Sequence, residues 1–280
     1  MKAALIQLNS SDDPVQNRHQ LLGFLGRAAE NGAQIALTPE VTNCVSASRT
    51  HQNAILQTES EDLTLAAVRE FAAASKIWVQ IGSLALKTDD PDGRFANRSF
   101  LISPSGEIVA KYDKIHMFDV QVSETETYRE SAGYRPGTES ILAQTPLGNI
   151  GMTICYDVRF PDLYRRLAKA GAEILTVPSA FSAVTGKSHW ETLLRARAIE
   201  NGCYVLAAAQ TGTHPCSRGK QRETYGHSLV VDPWGRLILD AGTEPGVHFV
   251  DLDLSNVTKA RGRVPSLKHD RDYIGPESAK

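Results

Sequence analysis

Apolar runs and amphipathic stretches alternate through the first third of the chain. KAALIQL (2–8) predicts a strand, and QNRHQLLGFLGRAAENGA (16–33) predicts a helix with Leu21, Leu25 and Ala28 on one face. QIALTPE (34–40) predicts the next strand, and the helix DLTLAAVREFAAASK (62–76) feeds the strand IWVQIGSLAL (77–86). Two hairpins follow the same turn chemistry. SFLISPSGEIVAKYDK (99–114) turns through Pro104 and Gly106, and HSLVVDPWGRLILD (227–240) turns through Pro233 and Gly235. Between them, NIGMTICYD, EILTVPSAF and CYVLAAAQTG are apolar enough to be strands covered on both faces. The helices PDLYRRLAKAGA (161–172) and SHWETLLRARAIENG (188–202) separate them. Two halves of like kind, each with strand–helix units and a hairpin, predict an α/β fold of two sheets packed face to face with helices outside.

A chain of 280 residues can form one α/β unit with a large core. The boundaries expected are a single domain over 1–270 and a polar C-terminal tail over 271–280. A formal charge of -2 gives no broad attraction to nucleic acid or anionic lipid, so neither is expected as a partner. The N-terminus turns polar after one short apolar run, and no stretch is long and apolar enough to span a bilayer. Cys44, Cys155, Cys203 and Cys216 are widely spaced with no CxxC pair, which fits reduced thiols and a cytoplasmic location rather than a disulfide or zinc framework.

Candidate chemistry lies at predicted strand ends. Cys155 closes NIGMTIC, and Pro161-Asp162 shortly after opens a helix, a passage that thrusts a side chain out where open α/β folds place ligands. A lone cysteine after an apolar strand is also commonly just a small buried hydrophobe. Glu40 ends IALTPE and could take a thiol proton, since the thiolate is the reactive form; alone it reads equally as a solvated loop residue. Lys114 follows EIVAKY in the run YDKIHMFD and could lower a thiol pKa or hold an oxyanion, or could simply belong to a salt-bridged turn with Asp113 and His116.

Taken together, LTPE, YDKIHMFD and ICYDVRFP in this order resemble the nitrilase superfamily of carbon–nitrogen hydrolases. The resemblance continues through YRESAGYRPG, PSAF, TGKSHWETLLRARAIEN, YGHSLVVDPWG and a closing DLDL strand, to about residue 270. It implies a four-layer α-β-β-α sandwich of two mixed sheets and a cysteine-dependent amidase that needs no cofactor or metal. Glu40 would be the general base, Cys155 the nucleophile, Lys114 the oxyanion holder, Glu130 the residue that positions Lys114 and the substrate nitrogen, and the N–H of Tyr156 a second oxyanion donor. A thioester would form with loss of ammonia, and water would then release the acid. Tyr156, Arg159, Phe181, Thr185 and His227 are the candidate substrate contacts. RFPDL, PSAFSAVTG and YGHSLVVDPWG are nearest the branch that cuts amides of short α-keto acids, with deaminated glutathione favoured over α-ketoglutaramate and α-ketosuccinamate. The resemblance also implies a homodimer or larger assembly. The sequence departs from the pattern at VQVSETETYRES and in the long loop TGTHPCSRGKQRETYGHS, which leaves the substrate to that loop.

Rival readings fail on particular residues. SAFSAVTGKS ends like a phosphate loop but has Phe181 where its first glycine is required, and no G-x-S-x-G elbow is present. His214, Cys216 and His227 lack the spacing of a metal site. Arg195 or Arg197 could bind a substrate carboxylate or make structural ion pairs. Retention of Glu40, Lys114, Glu130 and Cys155 argues against an inactive interaction module, while a nitrile or a carbamoyl group stays open as the alternative substrate class.

Overall fold

The structure, a computed structural model, describes residues 1–122, 124 and 126–276. The chain begins with β1 (Lys2–Gln7), α1 (Pro14–Glu30), β2 (Ile35–Leu37), α2 (Arg49–Ile55), α3 (Leu63–Ser75), β3 (Trp78–Leu86), β4 (Ala96–Ile102) and β5 (Ile108–Asp113). A small hairpin of β6 (Asp119–Gln121) and β7 (Thr127–Arg129) leads into β8 (Ile141–Thr145), β9 (Gly148–Met152), α4 (Pro161–Lys169), β10 (Ile174–Thr176), α5 (Ala183–Asn201) and β11 (Tyr204–Ala207). A second hairpin, β12 (Thr211–Thr213) and β13 (Glu223–Tyr225), precedes β14 (Leu229–Val231), β15 (Leu237–Asp240), β16 (Gly246–Asp251) and α6 (Ser255–Arg263).

Two six-stranded mixed sheets result, ordered β16-β1-β2-β3-β4-β5 and β15-β14-β11-β10-β9-β8. The period of two along β1 explains the layering. Ala3 and Leu5 join a core shared with Ile150, Met152 and Ile174 of the second sheet, while Ala4 and Ile6 pack under Leu21, Leu25 and Ala28 of α1. Asp13 caps α1, accepting from the N–H groups of Val15 and Gln16. Leu163, Leu167, Trp190, Leu194 and Ala198 of α4 and α5 cover the second sheet, completing the α-β-β-α sandwich. Between the sheets, Gln80 Nε2 donates to Thr176 Oγ1 at 2.8 Å and Gln7 Oε1 accepts from the Ser228 N–H and hydroxyl, each at 2.8 Å, polar ties across a largely apolar layer.

The expected elements shift at their ends. β2 stops at Leu37 instead of reaching Glu40, because Pro39 has no N–H and the chain turns so that Val41 adopts φ 47°. β9 stops at Met152, though paired backbone continues irregularly toward the Cys155 N–H, which donates to Pro178 O at 3.0 Å. α5 starts at Ala183, five residues before the predicted Ser188, so the GKS run lies inside a helix. Gly186 there serves packing: a Cβ would stand 2.3 Å from the Tyr225 ring. The helices α2 and α6 have no counterpart in the sequence reading. In the C-terminal segment Asp270 pairs with Arg165 and Lys169, and beyond it Tyr273 and Ile274 are exposed.

Candidate active site

Glu40, Lys114, Glu130 and Cys155 come from four separate connections after β2, β5, β7 and β9, and all line one pocket of about 260 Å³. Strand order explains the convergence. β2 and β9 are interior strands of facing sheets, so the segments following them emerge at the same mouth. Cys155 sits at φ 47°, a left-handed conformation unfavourable for a residue with a Cβ, and opens a 3-10 turn through Arg159.

That turn is held from behind by Asp157, whose side chain is fully buried. One carboxylate oxygen accepts from the Tyr112 hydroxyl at 2.7 Å and the Ile154 N–H at 2.9 Å. The other lies 3.0 Å from the His116 N–H and 2.7 Å from His116 Nδ1. Asp157 therefore ties the Cys155 turn to the segment carrying Lys114. His116 in turn stacks on Phe160 at a ring separation of 3.5 Å.

Lys114 is the hub of the polar array. Its ammonium donates to Glu40 Oε1 at 2.8 Å and to both oxygens of Glu130 at 2.9 and 2.8 Å. Burial alone would push its pKa down, but the two carboxylates outweigh it and hold the pKa well above the usual lysine value. Glu40 is buried as well; burial pushes its pKa up, and the charge and hydrogen bond of Lys114, helped by Arg222 and the Ala180 N–H, bring the net below the usual carboxylate range. Asn97 on β4 donates to Glu40 at 2.9 Å and to Glu130 at 3.3 Å, the Ala180 N–H donates to the second Glu40 oxygen at 2.8 Å, and the Phe118 N–H donates to Glu130 at 2.7 Å. The Cys155 thiol is raised above its usual value, first by burial and then by the Glu40 charge, with Lys114 opposing. Its resting form is the thiol.

Among the candidate substrate contacts, Tyr156 and Phe181 line the pocket, whereas Arg159, Thr185 and His227 do not. Arg159 lies over the rings of Tyr156 and Phe181 at 5.8 and 5.5 Å and reaches His189. Thr185 is in the first turn of α5. His227 meets Asp240 at 2.9 Å and stacks on Tyr225, outside the cavity. Arg195 donates to Gly235 O and Arg197 to Val158 O, so both brace backbone. Residues that the sequence did not single out also line the pocket: Asn97, Tyr128, Tyr134, Ala180 and Arg222. Parts of VQVSETETYRES, namely Ser123 and Thr125, lie outside the described residues.

A buried thiol between a carboxylate and an ammonium, at the mouth of an α-β-β-α sandwich, defines a cysteine-dependent hydrolase of the nitrilase superfamily, to which solved structures of this fold belong. The chain belongs to the carbon-nitrogen hydrolase family, whose model matches residues 2–262. It is thus an amidase-type hydrolase of carbon–nitrogen bonds. A deaminated glutathione amidase from Yersinia enterocolitica is 40% identical over 276 residues, covering 96% of this chain and 92% of that protein. The NitFhit protein of C. elegans superposes with a TM-score of 0.88 at 37% identity, over 96% of this chain and 65% of that longer one. A mutant amidase from Nesterenkonia sp. AN1 carrying a Michael adduct of acrylamide at its active-site cysteine superposes with a TM-score of 0.75 at 26% identity, over 95% of this chain and 98% of that one.

Proposed function

We propose that Cys155 attacks the amide of a short α-keto acid, deaminated glutathione in the first place, with Glu40 as general base and acid and Lys114 as oxyanion holder. The observation that carries this reading is the single ammonium held between two carboxylates beside a buried thiol. With the thiol neutral, Glu40 ionised and Lys114 charged, passing the thiol proton to Glu40 leaves the net charge of the buried set unchanged. Losing it to solvent would instead add a buried negative charge. Sulfur is therefore deprotonated as it attacks, not before. The carbonyl oxygen gains its negative charge beside Lys114 and the N–H of Tyr156, at the start of the 3-10 turn. Collapse breaks the carbon–nitrogen bond, and Glu40 returns the proton to the departing nitrogen. Glu40 then takes a proton from water as the water oxygen attacks the thioester, and when the carbon–sulfur bond breaks Glu40 returns that proton to Cys155 Sγ, releasing the acid and restoring the thiol. Glu130 and Asn97 keep Lys114 and Glu40 in register throughout.

The substrate assignment is supported by the Yersinia enterocolitica relative's name. Its chemistry amends one expectation. In deaminated glutathione the α-keto acyl group is joined to cysteinylglycine, so the amine released is that dipeptide; ammonia leaves only from a primary amide such as α-ketoglutaramate. The two substrates give the same five-carbon keto-acyl thioester and differ in leaving group alone. Chromatographic detection of cysteinylglycine and ammonia from deaminated glutathione, α-ketoglutaramate, simple amides and nitriles tests the reading. Faster turnover of deaminated glutathione than of the others supports it, and a preference for nitriles or for α-ketoglutaramate overturns it.

We further take 1–270 as one hydrolase domain, place it in the cytoplasm and expect a homodimer. All four cysteines are unpaired, which supports a reducing compartment, and among the described residues no helix is long and apolar enough to cross a membrane. Ile199, Trp234 and Val264 are each 56% exposed, and Gly235 packs on Ile199 while Arg263 lies over Trp234, a patch that supports self-association. A monomeric mass in solution for an active preparation would refute the dimer.

A further inference from the structure

Resting on the substrate class proposed above, we infer that Arg222 is the residue that binds a carboxylate of the substrate and selects acidic over neutral amides. An acidic substrate faces a difficulty in this pocket. Glu40 and Glu130 both line it, and the one ammonium between them, Lys114, is already engaged by both. The array at the thiol is net negative, so an anionic substrate needs a second, uncommitted cation.

Arg222 fits that need. It lines the pocket, and among the described residues no carboxylate pairs with it. One guanidinium nitrogen, Nη2, donates to Ala180 O at 2.6 Å, but among the described residues the buried Nε–H has no acceptor. A buried donor on a guanidinium costs free energy until an acceptor arrives, and a carboxylate oxygen is the acceptor that also neutralises the charge. Glu126, an acid on this side of the pocket, bonds the Tyr128 hydroxyl and Ser182 instead. The Arg222 charge reaches the reaction centre, because it helps hold Glu40 below the usual carboxylate range.

The residue is also positioned in advance. It closes the loop between β12 and β13, where the His214 N–H donates to Arg222 O at 2.9 Å. His214 is buried, with ring nitrogens 2.7 Å from Ser10 O and from Thr224 Oγ1. Ser217 in the same loop is tied to the Asp12 carboxylate through its N–H and hydroxyl, each at 2.8 Å. The guanidinium carbon stands 5.7 Å from the centre of the Tyr128 ring, which limits its swing. The long loop to which the sequence left the choice of substrate thus holds a cation at the cavity.

The carboxylate could be the one on the keto-acyl side or the glycine one on the leaving side, and binding to a Cys155→Ala background separates them without turnover. Glutaric acid monoamide carries only the acyl-side charge, N-pentanoyl-cysteinylglycine only the leaving-side charge, and pentanamide none. Adding Arg222→Gln is expected to weaken binding of one acidic probe by roughly 10- to 100-fold and to leave pentanamide within about 3-fold, as loss of a charged hydrogen bond requires. Arg222→Lys, which keeps the charge without the fork, should recover part of the loss. Unchanged binding of both acidic probes, or an equal loss for pentanamide, overturns the proposal, as does failure of both acidic probes to bind the Arg222-containing protein better than pentanamide. Should the wild type fail to cleave α-keto amides while acidic-probe binding still depends on Arg222, the substrate reading falls and the anchor stands.

Discussion

Replacing Lys114 by methionine keeps the length of the buried side chain and removes the charge that Glu40 and Glu130 share. Both carboxylates then lose their short contacts to Nζ, at 2.8 Å for Glu40 and 2.8 and 2.9 Å for Glu130. Stripping one partner from a buried ion pair costs about 3–5 kcal/mol, which for a chain of this length lowers the melting temperature by about 5–9 °C. The pH dependence carries the sharper test. In the wild type, the Glu40 pKa is held below its ordinary value of 4.5, so the stability it contributes is present above that value and fades as pH falls through the depressed pKa. In the variant, burial dominates and raises the Glu40 pKa. Protonated Glu40 is then the favoured buried form, so the deficit is smallest in acid and grows as pH rises through the raised pKa. Thermal unfolding of both proteins from pH 5 to 8.5 should show a gap that widens with pH. An unchanged melting temperature, or a gap that widens toward acid, would refute the reasoning that Lys114 is the charge holding the array together.

Other consequences follow from the same contacts. Asp157→Asn replaces an acceptor-only group by one that presents an NH2 to two of its donors, so it should destabilise by about 2–4 kcal/mol in chemical denaturation and lower kcat far more than it raises KM. Initial rates across pH should show an acidic limb below 4.5, set by Glu40, and no alkaline loss up to about pH 9, because Lys114 and Cys155 are both raised; a limb near pH 7 would contradict this. Asn97→Leu removes donors to both glutamates and should cut kcat by roughly 10- to 100-fold with the fold intact by circular dichroism; wild-type kcat would show that Asn97 does not keep the pair in register.

The sequence revealed those parts of the site that sit where a strand pattern stops. Glu40, Lys114 and Cys155 each stand at the end of a predicted strand, where open α/β folds place their ligands. Asn97 was invisible because it opens the polar run Asn97-Arg98-Ser99, ahead of the strand predicted from Ser99, and such a run reads as solvated loop. Here it points to Glu40 and Glu130 instead. The Ala180 N–H that holds Glu40 could not be read at all, since every residue but proline offers one. Thr185 and His227 were drawn from TGKSHWETLLRARAIEN and YGHSLVVDPWG, segments that carry the resemblance, but α5 begins early enough to take Thr185 into its first turn, and His227 pairs with Asp240 outside the cavity. The layering was legible because runs such as KAALIQL are apolar on both alternating faces, which only a sheet covered on both sides can use. Arg222 was legible only as a member of a long polar loop; its role depends on the buried His214 and Ser217 anchors that no local pattern reveals.

The central claim, that Cys155 carries the acyl group, is tested most directly by intact-protein mass spectrometry of acid-quenched turnover, with the modified peptide mapped. Deaminated glutathione and α-ketoglutaramate should each add the same five-carbon keto-acyl mass to the peptide containing Cys155, and Cys155→Ala should show neither adduct nor turnover. An adduct on Cys44 or another residue, or turnover surviving in Cys155→Ala, would contradict it.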